Sequence, residues 1–185
     1  IPMWPLNKLF LSAPEMFLET YNKCFKEGTF PTLWKRQRLV LLPKGKKPLD
    51  EPSSYRPLCM LDTAGKVLER IIHNRIEVAV EPHLADAQYG FRKGRSTLDA
   101  IEQVVSTARQ AISGTRWKRG SIKYCLVATL DIKNAFNSAK WDVIMEALSV
   151  LNVPLYLRKV VASYFSDRVL TYTTHNGPKN YKVTG

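Results

Sequence analysis

Cysteine is scarce in this sequence: three copies, Cys24, Cys59 and Cys125, odd in number and far apart. That spacing builds neither a disulfide framework nor a zinc cluster, and it suits a reducing compartment. His73, His83 and His175 show no ligand spacing with the cysteines or with one another. Long apolar runs are missing too: none approaches the length that spans a bilayer, and residues 1–18 lack the basic start and apolar core of a secretion signal. No repeat of about 20–50 residues occurs, which excludes a solenoid. Glycine and proline, 9 and 11 in 185 residues, are too few for a low-complexity or disordered chain. The 45% of hydrophobic residues suffices for one core or two small packed lobes. Because the sequence opens on Ile1 rather than Met, it is expected to be a piece of a longer polypeptide.

Acidic residues are the other shortage. The net charge is +12 and the pI about 9.7, so the chain should attract polyanions. No acid occurs from 28 to 49, where Lys35, Arg36, Arg38, Lys44, Lys46 and Lys47 stand. None occurs from 103 to 130, where Arg109, Arg116, Lys118, Arg119 and Lys123 stand. Any one of these reads as a solvated surface cation; the two clusters together read as a surface for a phosphate backbone.

The apolar pattern along the chain is mixed. Met16, Phe17, Tyr21, Cys24 and Phe25 predict an amphipathic helix over 14–27, with Pro14 in its first turn and Gly28 as its stop. Trp34 and Leu39–Leu42 predict a strand ended by Pro43, the loop 44–52 follows, and 55–61 returns as the second arm of a basic hairpin. Asp62 or Thr63 caps a helix whose inner face is Val67, Leu68, Ile71, Ile72 and Ile76. A loop-rich link over 82–95 leads to a capping box, Ser96 with Asp99, and a helix with Leu98, Ile101, Val104, Val105 and Ala108 inside. A basic loop at 113–121 precedes Ile122–Leu130, apolar enough for a buried strand that ends at Asp131. Helices near 138–150 and 154–166 and strands at 169–174 and 181–184 complete an α+β class, with strands in separate groups.

A carboxylate delivered by an apolar strand to its rim is a usual way to present a ligand to Mg²⁺, which prefers hard oxygens and phosphate partners. By its local pattern alone Asp131 reads rather as a helix N-cap or an ion-paired acid; the motifs around it overturn that reading. They run Trp34-Lys35, Leu41-Leu42-Pro43-Lys44, Ser54-Tyr55-Arg56-Pro57-Leu58, Gly65-Lys66-Val67-Leu68-Glu69-Arg70, Gln88-Tyr89-Gly90-Phe91-Arg92-Lys93-Gly94-Arg95 and Leu130-Asp131-Ile132-Lys133-Asn134-Ala135-Phe136. This order and spacing resemble the reverse transcriptases of non-LTR (LINE-like) retrotransposon polyproteins, strongly from about Pro31 onward. Asn137 departs from the family, where Asp is more usual, and 133–139 resembles the subgroup that inserts into ribosomal RNA genes.

The resemblance implies the fingers (1–115, with the N-terminal helix) and the incomplete palm (116–185) of a right-hand polymerase. It implies RNA-directed DNA synthesis from a dNTP on a DNA primer and RNA template, intracellular and acting in the nucleus, with Mg²⁺ as cofactor and no membrane partner. Asp131 becomes the first catalytic carboxylate, and the Ile132 carbonyl helps hold the same metal. Phe136 becomes the ring that clashes with a 2′-hydroxyl, against its plain alternative of core packing. Lys44 and Arg56 grip the incoming triphosphate, although Lys44 alone would read as a loop lysine. Gly90 serves a turn and Phe91 the core, while Arg92, Lys93 and Arg95 face the template backbone. Trp34, Trp117 and Trp141 either stack on bases or pack inside. The family's second acidic set is an Asp-Asp hairpin further on; this sequence has no Asp-Asp pair, so the site is expected to be split by its end.

Two other classes compete. An RNA-binding protein on a degenerate polymerase fold, maturase-like, would have lost its acids, and Asp131 with Phe136 speaks against that. A basic DNA-binding module would show a helix-turn-helix or zinc signature, and neither is present. An RNA-templated RNA polymerase would need the 2′-hydroxyl admitted, which Phe136 disfavours.

Overall fold

In the computed structural model the described residues are 11–45, 48, 50–113, 125–132 and 135–184, without the side chains of Phe136 and Asn137. Lys46, Lys47, Arg116, Trp117, Lys118, Arg119, Lys123 and residues 122–124 of the expected strand lie outside them. Helix α1 spans Pro14–Glu27, with Pro at its start and Gly28 in the left-handed region (φ 67) at its C-cap. Strand β1 is Arg36–Pro43 and β2 Tyr55–Met60. Helix α2 is Thr63–Val80, α3 Thr97–Ile112, α4 the short Ala135–Ser138, α5 Trp141–Val150 and α6 Leu155–Phe165. Strands β3, Val169–Thr174, and β4, Gly177–Lys182, follow. The class is α+β.

The strands do not stay in separate groups. They form one sheet in the order β2-β1-β3-β4, with β1 and β3 parallel and the other pairs antiparallel. The parallel pairing of Arg36–Arg38 with Val169–Thr171 joins residues far apart in sequence, which local patterning cannot reveal. β4 begins at Gly177 rather than 181, because its register on β3 is set by the Thr174–Gly177 turn.

Packing divides the described chain into two units, 1–80 with 136–185, and 81–135. This division follows contacts and does not coincide with the boundary expected at 115/116. In the first unit the core lies between helices: Tyr21, Cys24 and Phe25 of α1, Leu68 and Ile72 of α2, Leu148 of α5, and Leu157, Val160 and Val161 of α6 surround Phe30. Met16, expected inside α1, is exposed. Gly65 lets α2 approach: a Cβ there would meet the Trp34 carbonyl at 3.0 Å and its Cβ at 3.2 Å.

The second unit has no buried residue among those described. The Ser96–Asp99 capping box forms as expected, yet Leu98, Ile101, Val104 and Val105 of α3 are all exposed. Residues 125–130 are not a strand: Leu126 and Leu130 are 95% and 96% exposed. An isolated extended segment leaves its N–H and C=O groups without a ladder, and no described segment pairs with this one.

Candidate active site

The β1–β2 hairpin positions two expected residues. Pro43 ends β1, and the ladder extends one step further, where the Lys44 N–H donates to the Ser54 carbonyl at 2.6 Å. Bonded pairs alternate with unbonded ones in an antiparallel ladder. With Lys44 and Ser54 bonded, the pairs Pro43–Tyr55 and Leu41–Pro57 fall in unbonded positions. Both prolines therefore sit where no ladder N–H is needed, and Pro57 lies on the edge strand. The same alternation places Lys44, two residues beyond Leu42, on the face of Arg56, which is Leu42's direct partner. Lys44 and Arg56 are thus diagonal neighbours on one face, both exposed. The Lys44 ammonium donates to the Ser53 carbonyl at 3.1 Å, within its own loop.

Lys35 departs from the surface cluster to which it was assigned. It is 3% exposed, and its ammonium donates to the Ser163 carbonyl at 2.8 Å and to Ser166 Oγ at 3.4 Å, at the C-terminal end of α6. Burial lowers its pKa, partly offset by Asp167. Helix carbonyls at a C-terminus carry partial negative charge, which is what draws this cation inward.

Asp131 and Ile132 are exposed in the irregular segment 125–132, within the second unit. Phe136 is in α4, its side chain outside the described residues. The expected acid and the expected triphosphate grip therefore belong to different units. As ligands, the Asp131 carboxylate and Ile132 carbonyl are hard oxygens that suit a divalent ion. They supply a single carboxylate, and among the described residues no group of three possible ligands occurs. They fit part of a metal site.

The loop 81–96 treats its three cations differently. Arg92 is drawn in: Nε donates to Glu81 Oε1 at 2.7 Å and Nη1 to the Ala85 carbonyl at 2.8 Å, and its side chain is 10% exposed. Lys93 is exposed. Arg95 lies over the Tyr89 ring at 5.4 Å and 3.7 Å from Asp86. Phe91 is not a core residue. It is 93% exposed and takes a left-handed backbone (φ 57) in the turn it shares with Gly90; no described residue of its unit is buried. Trp34 packs on Tyr21 at 5.7 Å, and Trp141 stacks on Phe165 at 5.1 Å.

One contact escaped the sequence reading. The Tyr164 hydroxyl donates to Glu69 Oε1 across α6 and α2, and burial first, then this bond, push its pKa well above 10.0. The Arg168 guanidinium covers the same ring at 4.6 Å. Nothing in local spacing signals a pair from two distant helices.

The family model for the reverse transcriptase (RNA-dependent DNA polymerase) matches residues 42–184, and the chain belongs to that family. Its relatives come from non-LTR retrotransposons. It is 34% identical over 94% of its length to the 115 kDa protein of the type-1 retrotransposable element R1DM of Drosophila melanogaster. It is 32% identical over 95% to the RNA-directed DNA polymerase from mobile element jockey of the same species. It is 28% identical over 84% to the retrovirus-related Pol polyprotein from element R2 of Popillia japonica. The chain spans 16%, 19% and 20% of these three relatives. Members of the family use divalent metal ions and act on nucleic acid and nucleotides. No helix of the described residues is long and apolar enough to cross a membrane.

Proposed function

We propose that the chain is the nucleotide-gripping and first-acid segment of a retrotransposon RNA-directed DNA polymerase, acting in the nucleus on an RNA template, a DNA primer and dNTPs. The observation that carries this is the hairpin register, which puts Lys44 and Arg56 side by side on one exposed face. A point charge and a forked guanidinium at that spacing suit a triphosphate, and phosphoryl transfer is promoted mainly by positioning and charge neutralisation. Asp131 and the Ile132 carbonyl would hold Mg²⁺ with acids from elsewhere in the polypeptide, and the ion would neutralise phosphate charge. Lys93 and Arg95, with Arg92 tethered to Glu81, face the template. Phe136 excludes the ribonucleotide. The RNA-binding maturase-like alternative has no observation in its favour, and the relatives' names speak for the enzyme.

The full-length protein tests this. Arg56→Ala should raise the dNTP concentration needed and lower the maximal rate by roughly 2–4 kcal/mol in barrier, on the scale of a lost transition-state donor. RNA affinity should hold. Reduced RNA affinity with normal nucleotide use would place Arg56 on the template backbone instead.

A further inference from the structure

We propose that the crevice between α2 and α6 is a binding site for a small, uncharged aromatic molecule that carries an N–H or O–H donor. The crevice holds about 260 Å³. Its floor is the core itself: Phe30, Ile72 and Val161, each buried, line it together with Ile76 and Phe165. All five belong to the unit of 1–80 and 136–185. A packed interior leaves few voids larger than a water molecule, so a gap of this size reaching core side chains stands out. An apolar cavity of about 150 Å³ admits benzene, and the larger space here has room for a second fused ring.

The polar wall of the crevice narrows the class. Glu69 and Tyr164 supply it. The Tyr164 proton is committed to Glu69 Oε1, so the pair offers a guest lone pairs alone. Glu69 forms no ion pair among the described residues. A guest with a donor finds an acceptor there, whereas a guest with only acceptors would bury lone pairs against lone pairs, at a cost. A carboxylate ligand is repelled by Glu69. An ammonium is disfavoured from the other side, where the Arg168 guanidinium covers the Tyr164 ring at 4.6 Å. Phe30 and Phe165 give an aromatic guest rings to pack on by edge or face. His73, exposed at the rim, stays in water. None of these residues belongs to the nucleotide grip, so the site stands or falls apart from the polymerase reading.

The test is methyl NMR of the isoleucine-labelled 185-residue chain, titrated with indole and with benzofuran, which keeps the shape but has an oxygen in place of the N–H. Indole should shift the Ile72 and Ile76 signals, saturating at millimolar concentration. It should leave in place the signal of Ile101, which is exposed on α3 of the other unit. Benzofuran should bind at least about fivefold more weakly, the worth of one net hydrogen bond. Glu69→Gln replaces an acceptor by an NH2 donor and should cut the preference for indole to less than about twofold. Ile76→Phe should fill the crevice and abolish the shift at Ile72 with the fold retained. Should that variant unfold, nuclear Overhauser contacts from indole to the Val161 methyls of the unsubstituted chain report the same placement. Equal shifts at Ile101 and Ile76 would mean adhesion to any exposed apolar surface and overturn the site. Equal affinity for indole and benzofuran would overturn the donor requirement, and no shift with either would overturn both.

Discussion

Helices α2 and α3 carry the same kind of apolar stripe, yet the structure buries only one of them. In α2, Leu68 and Ile72 are buried against α1, α5 and α6. In α3, Leu98, Ile101, Val104 and Val105 are exposed, although the capping box makes its start the better defined of the two. Periodicity tells that a helix has an apolar face; it does not tell which segment covers that face. The contrast extends to the two units as wholes. The unit of 1–80 and 136–185 holds every buried residue described, including Lys35 and Gln37, whereas the unit of 81–135 holds Asp131 and none of the buried ones. Stability and chemistry should therefore respond to different substitutions.

The largest separation is expected at Asp131. In the full-length protein Asp131→Asn keeps size and most hydrogen bonding but removes the charge a divalent ion needs, so synthesis should fall to background. The melting temperature should stay within a degree or two, since an exposed side chain contributes little. Paired with it, Phe136→Val should leave synthesis partly alive and raise the ribo-to-deoxy incorporation ratio. A destabilised Phe136→Val with unchanged sugar preference would return that ring to packing.

Next in size is a pair of phenylalanines, one from each unit. Phe30 is 1% exposed and Phe91 93%. Phe30→Ala should cost about 3–5 kcal/mol in denaturant unfolding of the chain, while Phe91→Ala should fall within about 0.5 kcal/mol. Comparable losses at both sites would show that 81–135 does build a core around Phe91 in solution, and the contrast between units would collapse.

A smaller effect concerns alkaline pH. The folded-state pKa of Tyr164 is raised by burial and by Glu69 above the ordinary 10.0, so its contribution to stability is complete below pH 10.0 and is lost as pH rises beyond it. Tyr164→Phe should lower stability at neutral pH by roughly 1.5–3 kcal/mol, the scale of a hydrogen bond to a charged partner. It should also flatten the alkaline fall, leaving the share due to Tyr21, whose pKa burial raises in the same direction. Urea titrations at pH 7 and above pH 10 read both effects; an equally steep alkaline fall in the variant would deny Tyr164 its part.

How far the sequence carried depends on the range of the interaction. α1, the hairpin, α2 and the Ser96–Asp99 box rest on contacts within a few residues, and these were legible with their caps and breakers. Lys35 looked like its neighbours Arg36 and Arg38 because its partners, Ser163 and Ser166, are remote in sequence. The β1–β3 pairing and the Tyr164–Glu69 bond were hidden for the same reason. Residues 125–130 have strand composition, but a strand is a property of two segments, and composition reports one. At the candidate site Lys44 and Arg56 were singled out by the family resemblance, and their common face is a fact of register that only the structure supplies.

The central claim, that Lys44 and Arg56 hold one triphosphate together, is tested most directly by a double-mutant cycle. Single-nucleotide incorporation would be measured for the full-length protein with Lys44→Ala, Arg56→Ala and both. Each single change should raise the dNTP KM with RNA affinity intact, and the two should couple by about 0.5–3 kcal/mol because they share a ligand. Additive effects with an unchanged nucleotide KM and a loss of RNA affinity would contradict it.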